Sequence, residues 1–198
     1  MAAVNPISLA GPWHEGYALD RHTISSVYLG VDELGRDRYE TTRSEIGELL
    51  FQLRYRNDVA VLPKLVDAAV VFIVNTWKLA GKVNALIPVP PSNTARRQQP
   101  VLQLAQGIGH GLDLPVLDTS LKKIKPTPQL KDLLDYQQRV NVLADAFVVD
   151  SKVTQGLTVL LVDDLFQSGA TLSALTRVLM GPGQASAVYV LALTKTRS

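Results

Sequence analysis

The stretch Leu157-Thr158-Val159-Leu160-Leu161-Val162-Asp163-Asp164-Leu165-Phe166-Gln167-Ser168-Gly169-Ala170-Thr171 decides the fold. Leu157 to Val162 is a continuous run of β-formers, as expected of a strand buried on both faces of a parallel sheet. A loop with two acids, small hydroxyls and a glycine follows it. Leu172, Leu175, Val178 and Leu179 then recur at helical spacing, and Gly181-Pro182-Gly183 closes that helix. Ala185 to Leu193 reads as a further strand. A strand–loop–helix–strand unit of this kind predicts an α/β fold with a mainly parallel, twisted sheet flanked by helices.

Two carboxylates directly after a buried strand lie at the carboxyl edge of a sheet, where open α/β folds bind ligands. Behind them, Ser168, Gly169 and Thr171 put small hydroxyls and a glycine at a helix N-terminus. Unpaired N–H groups and the helix dipole make an anion the natural guest there. One end of the loop thus offers acceptors for hydroxyls or for a cation, and the other offers a phosphate cradle. A phosphorylated sugar carries that pairing of groups. Taken alone, Asp163-Asp164 reads equally well as an ordinary turn with acids at a helix end. Receiver domains also carry an acidic pair, but near their start, whereas here 34 residues follow Asp164.

Upstream, Val83 to Val89 is a short apolar run stopped by Pro88-Val89-Pro90-Pro91, which predicts a strand leading into a rigid loop. Val101 to Ile108 has helical spacing, with Gly107, Gly109 and Gly111 as its expected end, and Leu114 to Leu117 reads as a strand. Lys122 to Asn141 is polar, with two prolines and five basic residues, and reads as a long loop with one helical turn near Leu130 to Leu134. Thr42-x-x-Glu45 has the form of a capping box, and Ile46, Leu49, Leu50 and Leu53 give the helix after it a buried face. Val59 to Leu79 is expected to be helical, because it outruns a strand. Residues 1 to about 40 are the least regular, with a short strand expected over Ile24 to Leu29.

The chain has 198 residues, of which 46 % are hydrophobic and 19 % charged, so it can bury a full core. Lys plus Arg is 20 and Asp plus Glu is 18, a net charge of +2 that is too small for a nucleic-acid coat. The absence of cysteine excludes disulfides, thiol catalysis and cysteine-based zinc sites. His14, His22 and His110 show no metal-ligand spacing. The most apolar run, Leu65 to Trp77, is broken by Asp67 and is shorter than the roughly 20 residues that span a bilayer. The expectation is a cytoplasmic protein with no signal segment and no membrane partner.

The string Val159 to Thr171 resembles the phosphoribosyl-pyrophosphate (PRPP) motif of type I phosphoribosyltransferases. Gln167 departs from it, standing where Thr or Ala is common. Within that superfamily the chain is most similar to the ComF-type competence-protein branch, on three further blocks. Leu50-Phe51-Gln52-Leu53-Arg54-Tyr55-Arg56-Asn57-Asp58 resembles its Lys-Tyr-Arg-Gly-Asp segment, and Ile87-Pro88-Val89-Pro90-Pro91 its Val-Pro-Val-Pro loop. Lys125-Pro126-Thr127-Pro128-Gln129, Gln138-Arg139-Val140-Asn141 and Ala146-Phe147 are similar to its Thr-x-x-Gln, Arg-x-x-Asn and Ala-Phe signature. The likeness runs from Thr42 to the C-terminus and breaks after Arg97, where Gln98-Gln99-Pro100-Val101 replaces Gly-Phe-Asn-Gln.

This resemblance implies a type I phosphoribosyltransferase-like fold over residues 43–198, with residues 1–42 as an N-terminal hood or cover without the branch's zinc module. It implies PRPP and an unidentified, nitrogen-bearing acceptor as small-molecule substrates, with Mg²⁺ assisting the displacement of pyrophosphate from C1. Asp163 and Asp164 would meet the ribose hydroxyls and the metal, since carboxylates accept hydrogen bonds and are hard oxygen ligands. Gln167, Ser168, Gly169, Ala170 and Thr171 would hold the 5′-phosphate. Val89, Pro90, Pro91, Ser92, Asn93, Arg96 and Arg97 would face the pyrophosphate, with Ser92 and Asn93 as the donors because proline has no N–H. Lys123, Lys125 and Arg139 would supply cations from a mobile loop that excludes water, Lys125 and Arg139 counted with the two acids as catalytic. A homodimer is the implied assembly, and nucleic acid is the less favoured partner. The competing reading is a catalytically silent member of the fold that binds or regulates, as in competence-related DNA uptake.

Overall fold

The computed structural model describes residues 2–91, 99–125 and 136–196. In chain order, β1 (Ile7–Ser8), β2 (Glu15–Arg21), β3 (Thr23–Val31) and β4 (Asp37–Arg43) precede α1 (Glu45–Tyr55) and α2 (Leu62–Val71). After them come β5 (Ala85–Pro88), α3 (Pro100–Leu112), β6 (Leu121–Lys123), α4 (Tyr136–Ala144), β7 (Phe147–Val149), α5 (Ser151–Thr154), β8 (Thr158–Phe166), α6 (Ala170–Met180) and β9 (Ala187–Lys195). The central sheet has the order β1-β2-β9-β8-β5. Its last four strands in that order run parallel, and β1 lies antiparallel on the edge. The expected α/β architecture, a mainly parallel sheet flanked by helices, is the one the chain adopts.

Strand β8 shows why its sequence is an apolar run and does not alternate. Leu160 and Val162 pack with Leu50, Leu65 and Leu104 from the helices of one face. Val159 and Leu161 pack with Leu172 and Leu175 of α6 on the other face. All four β8 residues are fully buried, so both faces of the strand require apolar side chains.

The first 42 residues contribute to the central sheet as well as standing outside it. β2 pairs with β9 from Glu15↔Tyr189 to Arg21↔Lys195, whereas β3 and β4 form a separate antiparallel hairpin. The short strand expected at Ile24–Leu29 is the middle of the longer β3. The cap of α1 also differs from the expected capping box. Thr42 belongs to β4, and Ser44 is the N-cap, its Oγ accepting from the Gly47 N–H at 3.0 Å and donating to the Arg21 carbonyl. The buried face read for α1 holds, since Ile46, Leu49, Leu50 and Leu53 are all core.

The segment Val59–Trp77 is continuously helical over 19 residues, as a 3₁₀ turn, α2 and a π turn. With a mean hydropathy of 1.8 it is long and apolar enough to cross a membrane by length and composition alone, which corrects the shorter run read from the sequence. Its inward residues Leu65, Ala68, Phe72, Ile73 and Trp77 are buried in the core, which accounts for part of that apolarity, since 33 % of that stretch is buried. In α3 the three glycines are interior and do not end the helix, which stops at Asp113 in the left-handed region. They are packing sites. A Cβ on Gly107 would come 2.5 Å from Val66 Cγ2, and one on Gly111 2.8 Å from Val70 Cγ2, so α2 and α3 touch where side chains are absent.

The polar stretch expected as a loop contains regular structure at both described ends, in β6 and α4. Val140 and Leu143 are buried, and α4 is clamped to α6 by Tyr136 Oη···Ser173 Oγ (2.8 Å) and by Arg177 Nη1 donating to Asn141 Oδ1 (3.1 Å). Its apolar contacts are too few to stand out in the sequence. The turn expected at Leu130 to Leu134 lies outside the described residues. Leu114 to Leu117 makes a single parallel bridge, Leu86↔Val116, rather than a strand.

Candidate active site

β8 runs past the apolar run and carries the acids within itself, not after it, because β9 keeps pairing with it through Asp163↔Ala192 to Phe166↔Lys195. On its other side the ladder with β5 stops at Pro88↔Val162, where the prolines divert the chain. β8 therefore outlasts β5, and a cavity of about 870 Å³ opens where the missing neighbour would be. Pro88, Val89, Pro90 and Pro91 form one wall, and Asp163, Asp164 and Leu165 form the floor. The start of α3, from Gln99 to Leu102, and the turn with Asp118 and Thr119 complete the enclosure with Lys122 and Lys123.

The two acids have unequal surroundings. Asp164 accepts a hydrogen bond from Arg54 Nη1 at 3.2 Å, with side chains 13 % and 21 % exposed. Asp163 Oδ1 accepts the Asp164 N–H at 2.9 Å. Burial first, and then the charge of Asp164, push the Asp163 carboxyl up to about 7, against the pull of that N–H and of Arg54. Beside them, His22 Nδ1 lies 3.1 Å from Thr194 Oγ1. Burial, followed by the charges of Arg43 and Arg54, holds the His22 imidazole below its ordinary value.

Two helices begin at the cavity. α6 starts at Gly169, which has φ +75° and leaves room for the Phe166 ring; a Cβ there would sit 2.8 Å from Phe166 Cζ. No side chain makes a close cap on its first turn, and Ser168 Oγ stands 3.5 Å from the Ala170 N–H. α3 starts at Gln99 with Pro100 in its first turn and no side-chain bond capping it. Both N-termini present N–H groups and positive dipole ends to the same space.

Of the residues singled out in the sequence, Asp163, Asp164, Gln167, Thr171, Val89, Pro90, Pro91 and Lys123 line the cavity. Ser168, Gly169 and Ala170 form the turn between two of them. Lys125 is exposed just beyond β6 and Arg139 is half-buried on α4, and neither is among the lining residues. Ser92, Asn93, Arg96, Arg97 and Gln129 lie outside the described residues. The sequence quoted Arg54 without a role, and it did not point to Asp118, Thr119 or Lys122. Arg54 ends a helix 110 positions before its acid partner, a pairing that only the fold creates.

Among the described residues, no group of three or more His, Asp or Glu side chains is placed to hold a metal ion. The adjacent Asp163 and Asp164 still suit Mg²⁺, a hard cation that keeps several waters and takes one or two carboxylates together with substrate phosphates. The raised Asp163 carboxyl fits this, since a site that resists a second negative charge welcomes a positive one.

No family model matches the chain, and no curated protein does. Solved structures similar to it include adenine phosphoribosyltransferase from Saccharomyces cerevisiae, complexed with D-2,5-dideoxy-2,5-imino-altritol 1,6-bisphosphate and adenine. It has a TM-score of 0.45 and 11 % identity, with 88 % of this chain and 94 % of that chain covered. Another is adenine phosphoribosyltransferase from Thermoanaerobacter pseudethanolicus, with a TM-score of 0.42, 14 % identity and coverage of 87 % and 95 %. A third is the Trypanosoma brucei enzyme in complex with AMP, pyrophosphate and ribose-5-phosphate, with a TM-score of 0.44, 14 % identity and coverage of 89 % and 70 %.

Proposed function

We propose that the chain is a PRPP-dependent phosphoribosyltransferase. The observation that carries this reading is the convergence of Asp163-Asp164 and the N-terminus of α6 on one cavity, which sets hydroxyl acceptors and a phosphate cradle side by side. The first turn of α6, with Gln167, Ser168, Gly169, Ala170 and Thr171, receives the 5′-phosphate on backbone N–H groups. Asp163 and Asp164 accept the ribose hydroxyls, and Arg54 holds Asp164 in place through a charge-assisted hydrogen bond. The start of α3 and Lys122 and Lys123, which line the same cavity, offer positive charge to the pyrophosphate.

The reaction is a substitution at C1. The acceptor nitrogen forms a bond to C1, the C1–O bond breaks, pyrophosphate leaves with the electron pair, and the nitrogen sheds its proton. C1 gains oxocarbenium character on the way, so walls that exclude water protect it from hydrolysis. Asp163 and Asp164 would hold Mg²⁺, which would supply positive charge to the leaving pyrophosphate.

Calorimetric titration with PRPP and Mg²⁺ tests this reading. The wild type is expected to bind, and an Asp163→Asn, Asp164→Asn double variant is expected to lose that binding. Equal affinity in both, or none in either, refutes it. Gln167 and the segment Gln98-Gln99-Pro100 favour a second reading, a member of the fold that binds PRPP or a nucleotide without turning it over. Screening bases and amines for pyrophosphate release separates the two.

A further inference from the structure

Arg54 has hydrogen-bond donors to spare. It lies in the last turn of α1, and one guanidinium N–H meets Asp164 Oδ1 at 3.2 Å. That is its only hydrogen bond among the described residues, although a guanidinium carries several donors along its planar fork. The side chain is 21 % exposed, and it lines the cavity. The Tyr55 ring backs it, with its centroid 5.6 Å from the guanidinium carbon. Polar groups so far removed from bulk water are normally paired. An arginine with one donor engaged is therefore suited to a second anion on the rest of its fork.

Its position selects that anion. Side chains alternate along β8. Val159 and Leu161 pack on the α6 side of the sheet, and Leu160 and Val162 on the side of α1, α2 and α3. Asp163 continues the first series and Asp164 the second, where Arg54 meets it. The turn from Gln167 to Thr171 opens α6 on the first side, so that turn and Arg54 flank the acid pair from opposite faces. On the proposed phosphoribosyltransferase reading, on which this inference rests, the 5′-phosphate takes the turn and the ribose hydroxyls lie on the two acids. The hydroxyl on Asp164 is then the one next to C1, and the group leaving C1 comes to Arg54. We propose that Arg54 is a catalytic residue, which receives a phosphate of the departing pyrophosphate on its free N–H groups while it holds Asp164. As the C1–O bond breaks, its electron pair passes to the pyrophosphate oxygen. The guanidinium stabilises that charge and gives up no proton.

Calorimetry without divalent cations tests this, with inorganic pyrophosphate and ribose 5-phosphate as the two probes. Arg54→Gln also deprives Asp164 of its partner. The deciding comparison is therefore Asp164→Asn against the Asp164→Asn, Arg54→Gln double variant, in which neither charge of the pair is left behind. Circular dichroism confirms that each variant is folded. Removing Arg54 in the Asp164→Asn background is expected to weaken pyrophosphate about tenfold or more, and ribose 5-phosphate by no more than about threefold. The same contrast is expected between the wild type and Arg54→Gln. An arginine that only places Asp164 leaves pyrophosphate unmoved once Asp164 is gone, and that result overturns the inference. So does an equal loss for the two probes, the mark of a general effect of charge or folding. If the wild type binds PRPP with Mg²⁺ while pyrophosphate is indifferent to Arg54, the inference falls alone. If it does not bind PRPP, the phosphoribosyltransferase reading falls with it.

Discussion

Replacing Asp163 by Asn should make the protein more stable, and increasingly so as pH rises. The Asp163 carboxyl is half-buried beside Asp164, and its pKa is pushed up to about 7 from an ordinary 3.8. In the unfolded chain the acid ionises near pH 4, whereas in the fold it keeps its proton until about pH 7. The native state binds more protons across that window, so this group's contribution to stability is full below pH 4 and is lost as pH climbs to 7. About three units of pKa, at roughly 1.4 kcal/mol each, make the loss about 4 kcal/mol. Asparagine keeps an oxygen that can accept the Asp164 N–H but carries no charge to bury. Urea unfolding without divalent cations, followed by circular dichroism, should therefore give similar midpoints for the two proteins near pH 4. By about pH 8 the variant should be ahead by about 2–4 kcal/mol. Parallel pH dependences, or a gap that closes as pH rises, would refute the reasoning.

Arg54→Gln leaves Asp164 without its guanidinium in a largely buried setting, and a loss of about 3 kcal/mol is expected in urea unfolding at neutral pH; unchanged stability would mean that water screens the pair. Gly107→Ala sets helix propensity, worth about 1 kcal/mol in favour of alanine, against a Cβ only 2.5 Å from Val66 Cγ2. The contact should win, lowering the thermal midpoint, and Val66→Ala in the same chain should recover it.

The last third of the chain was legible because its side chains meet requirements set close by in sequence. Val159 to Val162 are apolar on both faces of β8, the α6 leucines recur at one turn, and the acids and small residues sit between the two elements. Elements settled by distant partners were harder to read. β2 is short and ends in Glu15 and Arg21, and it belongs to the sheet only through its pairing with β9, more than 170 positions away. α4 is mostly polar and is held by Tyr136, Val140, Leu143 and bonds to Arg177 and Ser173 of α6. The α3 glycines read as stops because backbone freedom is their usual purpose, whereas here the nearness of Val66 and Val70 selects them. At the site, the acids and the turn from Gln167 to Thr171 were visible from their order in the chain. Arg54 and Asp118 were not, since each reaches the cavity from a separate element.

The cavity has two kinds of wall, and they differ in how freely they can change. β8 lies between β9 and β5 with both faces covered, so its amides are expected to exchange with solvent only when the whole sheet opens. The carboxylates at its end inherit that stiffness, and a change that shifts them threatens the fold itself. The opposite side is made by the proline exit of β5, the start of α3 and the turn at Asp118 and Thr119, connections that tolerate substitution and insertion far better. On the proposed reading, a chain built this way acquires a new acceptor by rewriting its loops while the end of β8 stays untouched. The proposed chemistry then rests on the part of the molecule that is hardest to alter, and the proposed selectivity on the part that is easiest.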